Sequence, residues 1–289
     1  MSRFFHVEKT NIVSPQGNPV VMRGVNVGGW LMMEGYILHA PNRGVAKFQQ
    51  EFTKTLGSQA FAEFERTFRD NFIREDDFRF IAKSGFNSVR VPFHHNLIER
   101  KPFSYDPEGL KYLDTVLDWG KKYKLGIILD LHAAPGAQNH DWHSDSDGRA
   151  RLWASKNFQK RVFALWEFLA DRYRDNPSVL GYDLLNESVI EDHEKLTAFY
   201  QKLISVIRGV DRNHILFVEG NRWAQDVPCL EPLMDDNMVA SIHYYEPLEF
   251  TFNFVPFLKY PIKSALTTWQ KPQIRQRLEK YAAWSRKFS

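Results

Sequence analysis

Residues Tyr182-Asp183-Leu184-Leu185-Asn186-Glu187 end a short apolar run, Leu180–Leu185, in an Asn-Glu pair. A run this short, apolar throughout, reads as a strand covered on both faces in a parallel sheet. Five more runs read the same way: Val20–Val27, Asn87–Pro92, Gly126–Leu131, Ile215–Val218 and Val239–Ile242. Helical patterns separate them. Phe78, Ile81 and Ala82 share a face before Gly85, a residue suited to ending a helix. Asp106-Pro107 suits a helix start, with Leu110, Leu113 and Leu117 following. Phe158, Val162, Leu165 and Leu169 make a stripe that stops near Asn176-Pro177, and Leu196, Phe199, Leu203, Ile207 and Val210 make another. Ile274, Leu278, Tyr281, Ala282 and Phe288 form the last. These stripes are expected to cover the sheet.

Strand and helix alternate from about residue 20 without a linker, which predicts one βα-repeat domain over residues 1–289. Phe5, Val7, Ile12-Val13, a Pro-Gln-Gly-Asn-Pro turn and Val20-Val21 predict an N-terminal hairpin over residues 1–22. A doubly wound sheet and a barrel both fit the alternation, and the strand ends decide between them. Asn26 closes the first strand, Arg90 lies in the second, and Asp130 and His132 close the third. Asn186 and Glu187 close the fourth, Glu219 the fifth, and His243 and Tyr245 the sixth. A barrel gathers such ends on one face, where its active sites sit. A doubly wound fold would use one crevice and a Gly-rich phosphate loop. No G-x-G-x-x-G opens a helix here, and there is no P-loop. The expected class is therefore α/β, a (β/α) TIM-barrel type. A carboxyl in such a mouth loses water, so the Glu187 pKa is expected to rise and its proton to persist near neutrality. Asn186 is placed to donate to a sugar 2-hydroxyl.

Composition narrows the function classes. With 38 basic against 35 acidic residues the net charge is +3, too balanced for a nucleic-acid footprint over the whole chain. Basic residues from Lys259 to Lys287, with Glu279 the only acid, read as a solvated helix face. Aromatic residues make up 15%, including eight Trp, which serves core packing or apolar platforms for sugars. Cys229 is the only cysteine, so no intrachain disulfide can form. The N-terminus lacks the apolar run of a signal peptide and no stretch is long enough to span a bilayer. Compartment stays open: cytoplasmic, or secreted with a leader removed.

Five segments together resemble glycoside hydrolase family 5. They are Arg23-Gly24-Val25-Asn26-Val27-Gly28-Gly29-Trp30, Gly85-Phe86-Asn87-Ser88-Val89-Arg90-Val91-Pro92, Asp130-Leu131-His132-Ala133-Ala134-Pro135-Gly136, Leu185-Asn186-Glu187 and His243-Tyr244-Tyr245. The Gly-Gly-Trp segment and the Pro-Gly-Ala-Gln-Asn loop look most like the exo-β-1,3-glucanase branch. The resemblance implies retaining hydrolysis of β-glucosidic bonds in β-glucans or β-glucosides, without a cofactor or metal. It implies Glu187 as acid/base, and Asn186, Arg90, His132, His243 and Tyr245 around the sugar whose bond is cut. Arg90 and Tyr245 would orient and polarise the nucleophile, Glu34 would hold the non-reducing sugar, and Asn139 would lie near the leaving group. Gly35 follows Glu34 where relatives often carry Pro.

Retention also needs a second carboxylate roughly 5–5.5 Å from the first, which in this family ends the seventh strand. The expectation here is about six of eight βα units, with strands seven and eight missing beyond Ser289. Glu219 and Glu246 are poor substitutes for the nucleophile. Open sheet edges would then favour self-association. Two rival classes stand beside this one. A metal-dependent hydrolase would draw on His132, His140, Asp141, His143, Asp145 and Asp147; the segment 140–147 reads instead as a substrate-covering loop. A carbohydrate-binding remnant would lack turnover altogether. Linkage choice is expected to rest on His140–Trp153 and Tyr245–Lys263, with Trp142, Trp153, Phe252 and Phe254 as possible platforms.

Overall fold

The computed structural model describes residues 3–233, 235–246, 251 and 270–288. Its main feature is a parallel sheet of six strands: β4 (Gly24–Asn26), β5 (Ser88–His94), β6 (Gly126–Ala133), β7 (Val179–Asp183), β8 (Ile215–Glu219) and β9 (Met238–Ser241). Neighbours in the sheet follow chain order from β4 to β9. A doubly wound sheet would reverse direction at a switch point. Unreversed order makes every crossover turn the same way and leaves the helices on one face, as in the wall of a (β/α) barrel.

The two faces of this wall carry different cores. Outward residues such as Val89, Val91, Ile127, Leu129 and Leu131 pack under Phe78, Leu113, Leu117, Val162, Leu165 and Leu203. Each fully buried aliphatic or Phe side chain is worth about 1.5–3 kcal/mol, so this cluster dominates stability. On the inner face Ile215, Phe217 and Glu219 share a side, because strand residues alternate. Leu180, Ile215 and Phe217 meet Phe5, Val7, Ile12 and Met22 there. The N-terminal segment thus seals the end of the wall opposite Glu219. Gly181 makes room for that packing: a Cβ would stand 2.3 Å from the Ile215 carbonyl oxygen and 2.7 Å from the Phe217 ring.

The helices are α3 (Glu75–Lys83), α4 (Pro107–Tyr123), α5 (Lys156–Tyr173) and α6 (His193–Val210), preceded by α1 (Val45–Leu56) and α2 (Ser58–Phe72). Asp106 caps α4 by accepting from the Glu108 N–H at 2.9 Å, with Pro107 in the first turn, as its sequence predicts. Gly85 follows α3 with φ 85°.

Three expectations need correction. The N-terminal hairpin is a three-stranded antiparallel sheet, β1 (His6–Glu8), β2 (Asn11–Val13) and β3 (Pro19–Val20). Val20 belongs to β3, so the expected first strand Val20–Val27 shrinks to Gly24–Asn26. The chain turns between them, where Asn87 Oδ1 accepts from the Arg23 N–H at 2.8 Å. The last stripe is split between a C-terminal helix, Lys271–Ser285, that buries Tyr281 but leaves Leu278 exposed, and a 3-10 turn, Arg286–Phe288, on which Phe288 is exposed.

Sequence reading also passed over α1 and α2. Their Phe48, Phe52, Phe61, Phe64, Phe68 and Phe72 rings stack on one another, the tightest pair being Phe68–Phe72 at 4.8 Å. Among the described residues no helix is long and apolar enough to cross a membrane.

Candidate active site

Arg90 is the hub of the open end. It rises from β5, and its side chain is 18% exposed. Its Nε donates to Asp183 Oδ2 at 2.8 Å, Nη1 lies 3.0 Å from Asp130 Oδ2, and Nη2 donates to Asn186 Oδ1 and Glu219 Oε1, both at 3.0 Å. Three acids from β6, β7 and β8 thus converge on one guanidinium, which such a planar five-donor group suits. Burial would lower the Arg90 pKa, but these carboxylates raise it further. Burial pushes Asp130 up to about 7, against the pull of Arg90. Burial also raises Asp183, with Glu219 adding to the effect.

Glu187 stands four residues beyond the end of β7 with φ 48°. A left-handed residue other than Gly costs about 1–2 kcal/mol, and two contacts hold it there. Glu219 Oε2 accepts from the Glu187 N–H at 2.6 Å, and the Glu187 carbonyl accepts from Asn139 Nδ2 at 2.9 Å. The carboxyl is 8% exposed as a residue and meets two imidazoles. Its Oε1 lies 2.5 Å from His243 Nδ1, and its Oε2 lies 3.1 Å from His143 Nε2. His243 reaches Glu219 Oε1 with Nε2 at 3.1 Å. Burial opposes charge on His243, yet Glu219 and Glu187 lift it to about 10, so it is an imidazolium at neutrality. Burial pushes Glu187 up, and hydrogen bonds with His143 and His243 drag it well below the usual carboxylate range when both rings are charged. The expected net rise is therefore reversed under that condition, because the desolvated carboxyl has charged donors on both oxygens. Burial lowers His132 to about 4, so it is neutral, with Nδ1 at 2.8 Å from Asp130.

The pocket over these groups has a volume of about 450 Å³. Arg90, His132, Asn186, Glu187 and His243 line its floor, and Glu34, Tyr36, Trp142, Trp223 and Tyr245 stand around them. Asn186 Nδ2 is buried with no hydrogen-bond partner among the described residues.

A sequence profile described as Cellulase (glycosyl hydrolase family 5) matches residues 46–287. The chain belongs to glycosyl hydrolase family 5. A "Beta-xylosidase" of Phanerodontia chrysosporium is 34% identical over 288 residues, 97% of this chain and 58% of that protein. An "Endoglucanase C" of Acetivibrio thermocellus is 32% identical over 232 residues, 79% of this chain and 58% of the relative. The chain thus spans 58% of the length of these curated relatives. Endoglucanase Cel5A from Thermotoga maritima shares the fold, with a TM-score of 0.64 at 22% identity over 92% of this chain and 75% of that one.

The family 5 pattern places seven of its eight expected residues around one pocket: Glu187, Glu34, Arg90, His132, Asn186, His243 and Tyr245 all line it. Asn139 does not. It is fully buried beneath Glu187, with Oδ1 taken by the Asp141 N–H at 2.8 Å and Nδ2 by the Glu187 carbonyl. It holds the Glu187 backbone from behind. Arg90 is held among five acceptors, Asn26 Oδ1 at 3.4 Å being the fifth, rather than free to turn toward an incoming group. Gly35 beside Glu34 is required here, since a Cβ would lie 2.3 Å from the Pro41 carbonyl oxygen.

Neither alternative carboxylate lines the pocket. Glu219 is fully buried in the Arg90 and His243 network, and Glu246 lies 3.5 Å from Arg277. Residues 141–143 line the pocket, and the acids of this loop are each paired: Asp141 accepts from Trp223 Nε1 at 2.7 Å, Asp145 lies 2.9 Å from His94, and Asp147 pairs with Arg151. Among the described residues no three His, Cys, Asp or Glu side chains are grouped to hold a metal ion. Trp142 lines the pocket, but Trp153 is spent in packing, its Nε1 on the Gln138 carbonyl and its ring 5.4 Å from Phe199. Phe252 and Phe254 lie outside the described residues.

Sequence reasoning missed Tyr36, His143, Asp183 and Trp223 as parts of the site. Strand alternation offered one signal: Asp183 sits two residues after Gly181, on the inner face. Trp223 had none, because it lies on a left-handed turn, Arg222–Ala224, with φ of 53°, 56° and 60°.

Proposed function

We propose that the chain serves retaining hydrolysis of β-glucosidic bonds in β-glucans or β-glucosides, with Glu187 as the acid/base. The observation that carries this reading is the pairing of a buried carboxyl with an adjacent unpartnered amide, Asn186 Nδ2, in the floor of one pocket. The amide suits a sugar 2-hydroxyl, a contact that strengthens as positive charge grows on the ring. Glu187 then donates to the departing oxygen and afterwards takes a proton from water. His132 is neutral and suited to exchange a hydrogen bond with a hydroxyl through Nε2, and Glu34 and Tyr245 line the same pocket. Arg90 acts by holding the floor rigid, which supports pre-organised placement of the sugar.

The test is Glu187→Gln in the natural protein, assayed on an aryl β-glucoside, on laminarin and on cellulose fragments. An aryl β-xyloside belongs in the panel, given the name of the relative matched over 97% of the chain. Loss of roughly 10²–10⁴-fold is expected on glycans with poor leaving groups, and much less on activated aryl glycosides, which need no protonation. Equal losses on both, or none, refute the assignment.

A further inference from the structure

The loop after β4 and the loop after β6 each bring an aromatic ring to the pocket, Tyr36 and Trp142, and the two rings meet edge to face at 5.7 Å. Strand β5 lies between β4 and β6, and His94 stands at its end. The His94 N–H donates to the Leu31 carbonyl at 3.1 Å, which ties the first loop to β5. Its ring nitrogen Nδ1 accepts from the Asn96 N–H at 2.9 Å. The ring's hydrogen therefore sits on Nε2, which donates to Asp145 Oδ2 at 2.9 Å.

Asp145 reaches further. Its Oδ1 accepts from the Ala46 N–H at 2.8 Å, in the first turn of α1. Gly44, at the N-cap, has no side chain to do this. A Cβ on Gly44 would lie 2.7 Å from Asp145 Oδ1, so glycine makes room for a cap supplied from 99 positions along the chain. Asp145 itself ends the turn Trp142–Ser144 with φ 58°, a conformation that Asp adopts more readily than most residues. Its N–H donates to the Trp142 carbonyl at 3.0 Å. One carboxylate thus joins β5, α1 and the turn that carries Trp142. The His94 and Asp145 side chains are 3% and 10% exposed, so little water competes for these bonds.

We propose that Asp145 is a positioning residue for sugar binding: it clamps the two loops together and so sets the spacing of the Tyr36 and Trp142 rings. This rests on the pocket being the sugar site of the proposed hydrolysis. A wall fixed before the sugar arrives need not be ordered on binding, and that saving appears as affinity. Asp145→Asn keeps the shape of the clamp and breaks its chemistry. Whichever way the new amide turns, one of its N–H groups faces the His94 Nε2–H or the Ala46 N–H. The His94 ring cannot adapt by moving its hydrogen, because Nδ1 is taken by Asn96.

Kinetics of the natural protein on an aryl β-glucoside test this. Asp145→Asn should raise KM about tenfold and leave kcat within about twofold, because a displaced wall loses binding common to ground state and transition state. A partly unfolded preparation would do the reverse, lowering kcat and leaving KM alone. Adding His94→Gln to Asp145→Asn presents an amide oxygen to the new N–H, and should bring KM back to within about threefold of the parent. Gly44→Ala presses on Asp145 Oδ1 without changing its charge, and should raise KM about threefold. A parental KM in Asp145→Asn, or no recovery in the pair, overturns the proposal; so does a parental KM in Gly44→Ala if Asp145→Asn does not fold. Amide hydrogen exchange reads the clamp without turnover. In Asp145→Asn, residues 33–46 and 141–146 should both exchange faster, by about tenfold; unchanged exchange in 33–46 also overturns it. If the parent turns over no glycoside, the hydrolase reading falls, and exchange still decides the clamp.

Discussion

Replacing Arg90 by Met should destabilise the fold in a pH-dependent way. The guanidinium neutralises Asp130, Asp183 and Glu219, whose side chains are 0%, 2% and 0% exposed. Removing one partner of a buried ion pair costs about 3–5 kcal/mol, because the remaining charge is left dry. Protonation limits the damage. Burial already holds Asp130 at about 7 in the presence of Arg90, above the roughly 3.9 of an unfolded chain. The native state therefore keeps a proton between about pH 4 and 7 that the unfolded state has lost, and stability falls as pH rises through that window. Without Arg90 the native Asp130 holds its proton to higher pH, and the window extends upward. Each further pH unit then costs the variant about 1.4 kcal/mol relative to the parent. Urea unfolding followed by tryptophan fluorescence should give a penalty near 3–5 kcal/mol at pH 8 and a smaller one, by roughly 1–2 kcal/mol, at pH 6. A penalty below about 1 kcal/mol, or one that does not change with pH, would show that Arg90 does not carry this charge cluster.

Gly181→Ala should cost about 1–3 kcal/mol, since the new methyl would meet the Ile215 carbonyl and the Phe217 ring; unchanged denaturation midpoints would refute the tight inner packing. Strands β4 and β9 each have one neighbour among the described residues, so the 289-residue polypeptide on its own is expected to self-associate through those edges. A monodisperse monomer by light scattering, with one cooperative melt, would count against that.

The parts legible in the sequence are those set by local chemistry. Apolar runs marked all six parallel strands, and Asp106-Pro107 marked a helix start, because burial on two faces and capping leave signatures within a few residues. The strand-end residues were legible because the barrel converts sequence position into a shared mouth. The α1–α2 pair was written in the spacing of Phe61, Phe64, Phe68 and Phe72, but its rings pack on each other more than on the sheet, so its existence does not follow from the barrel. Asn139 was legible as a loop residue near the leaving group, and His143 as one of a polar cluster on the same loop. What they do depends on a turn that brings them under Glu187, 48 and 44 positions away in sequence, and no periodicity encodes such a meeting.

The plug formed by Phe5, Val7, Ile12 and Met22 separates two demands that enzymes often place on the same residues. The tail of the barrel wall is stoppered with oil, while the mouth is left rich in buried charge. Substitutions in the stopper should lengthen or shorten the protein's working life and leave the charged mouth as it is. That gives an engineer one end to harden and the other to retune.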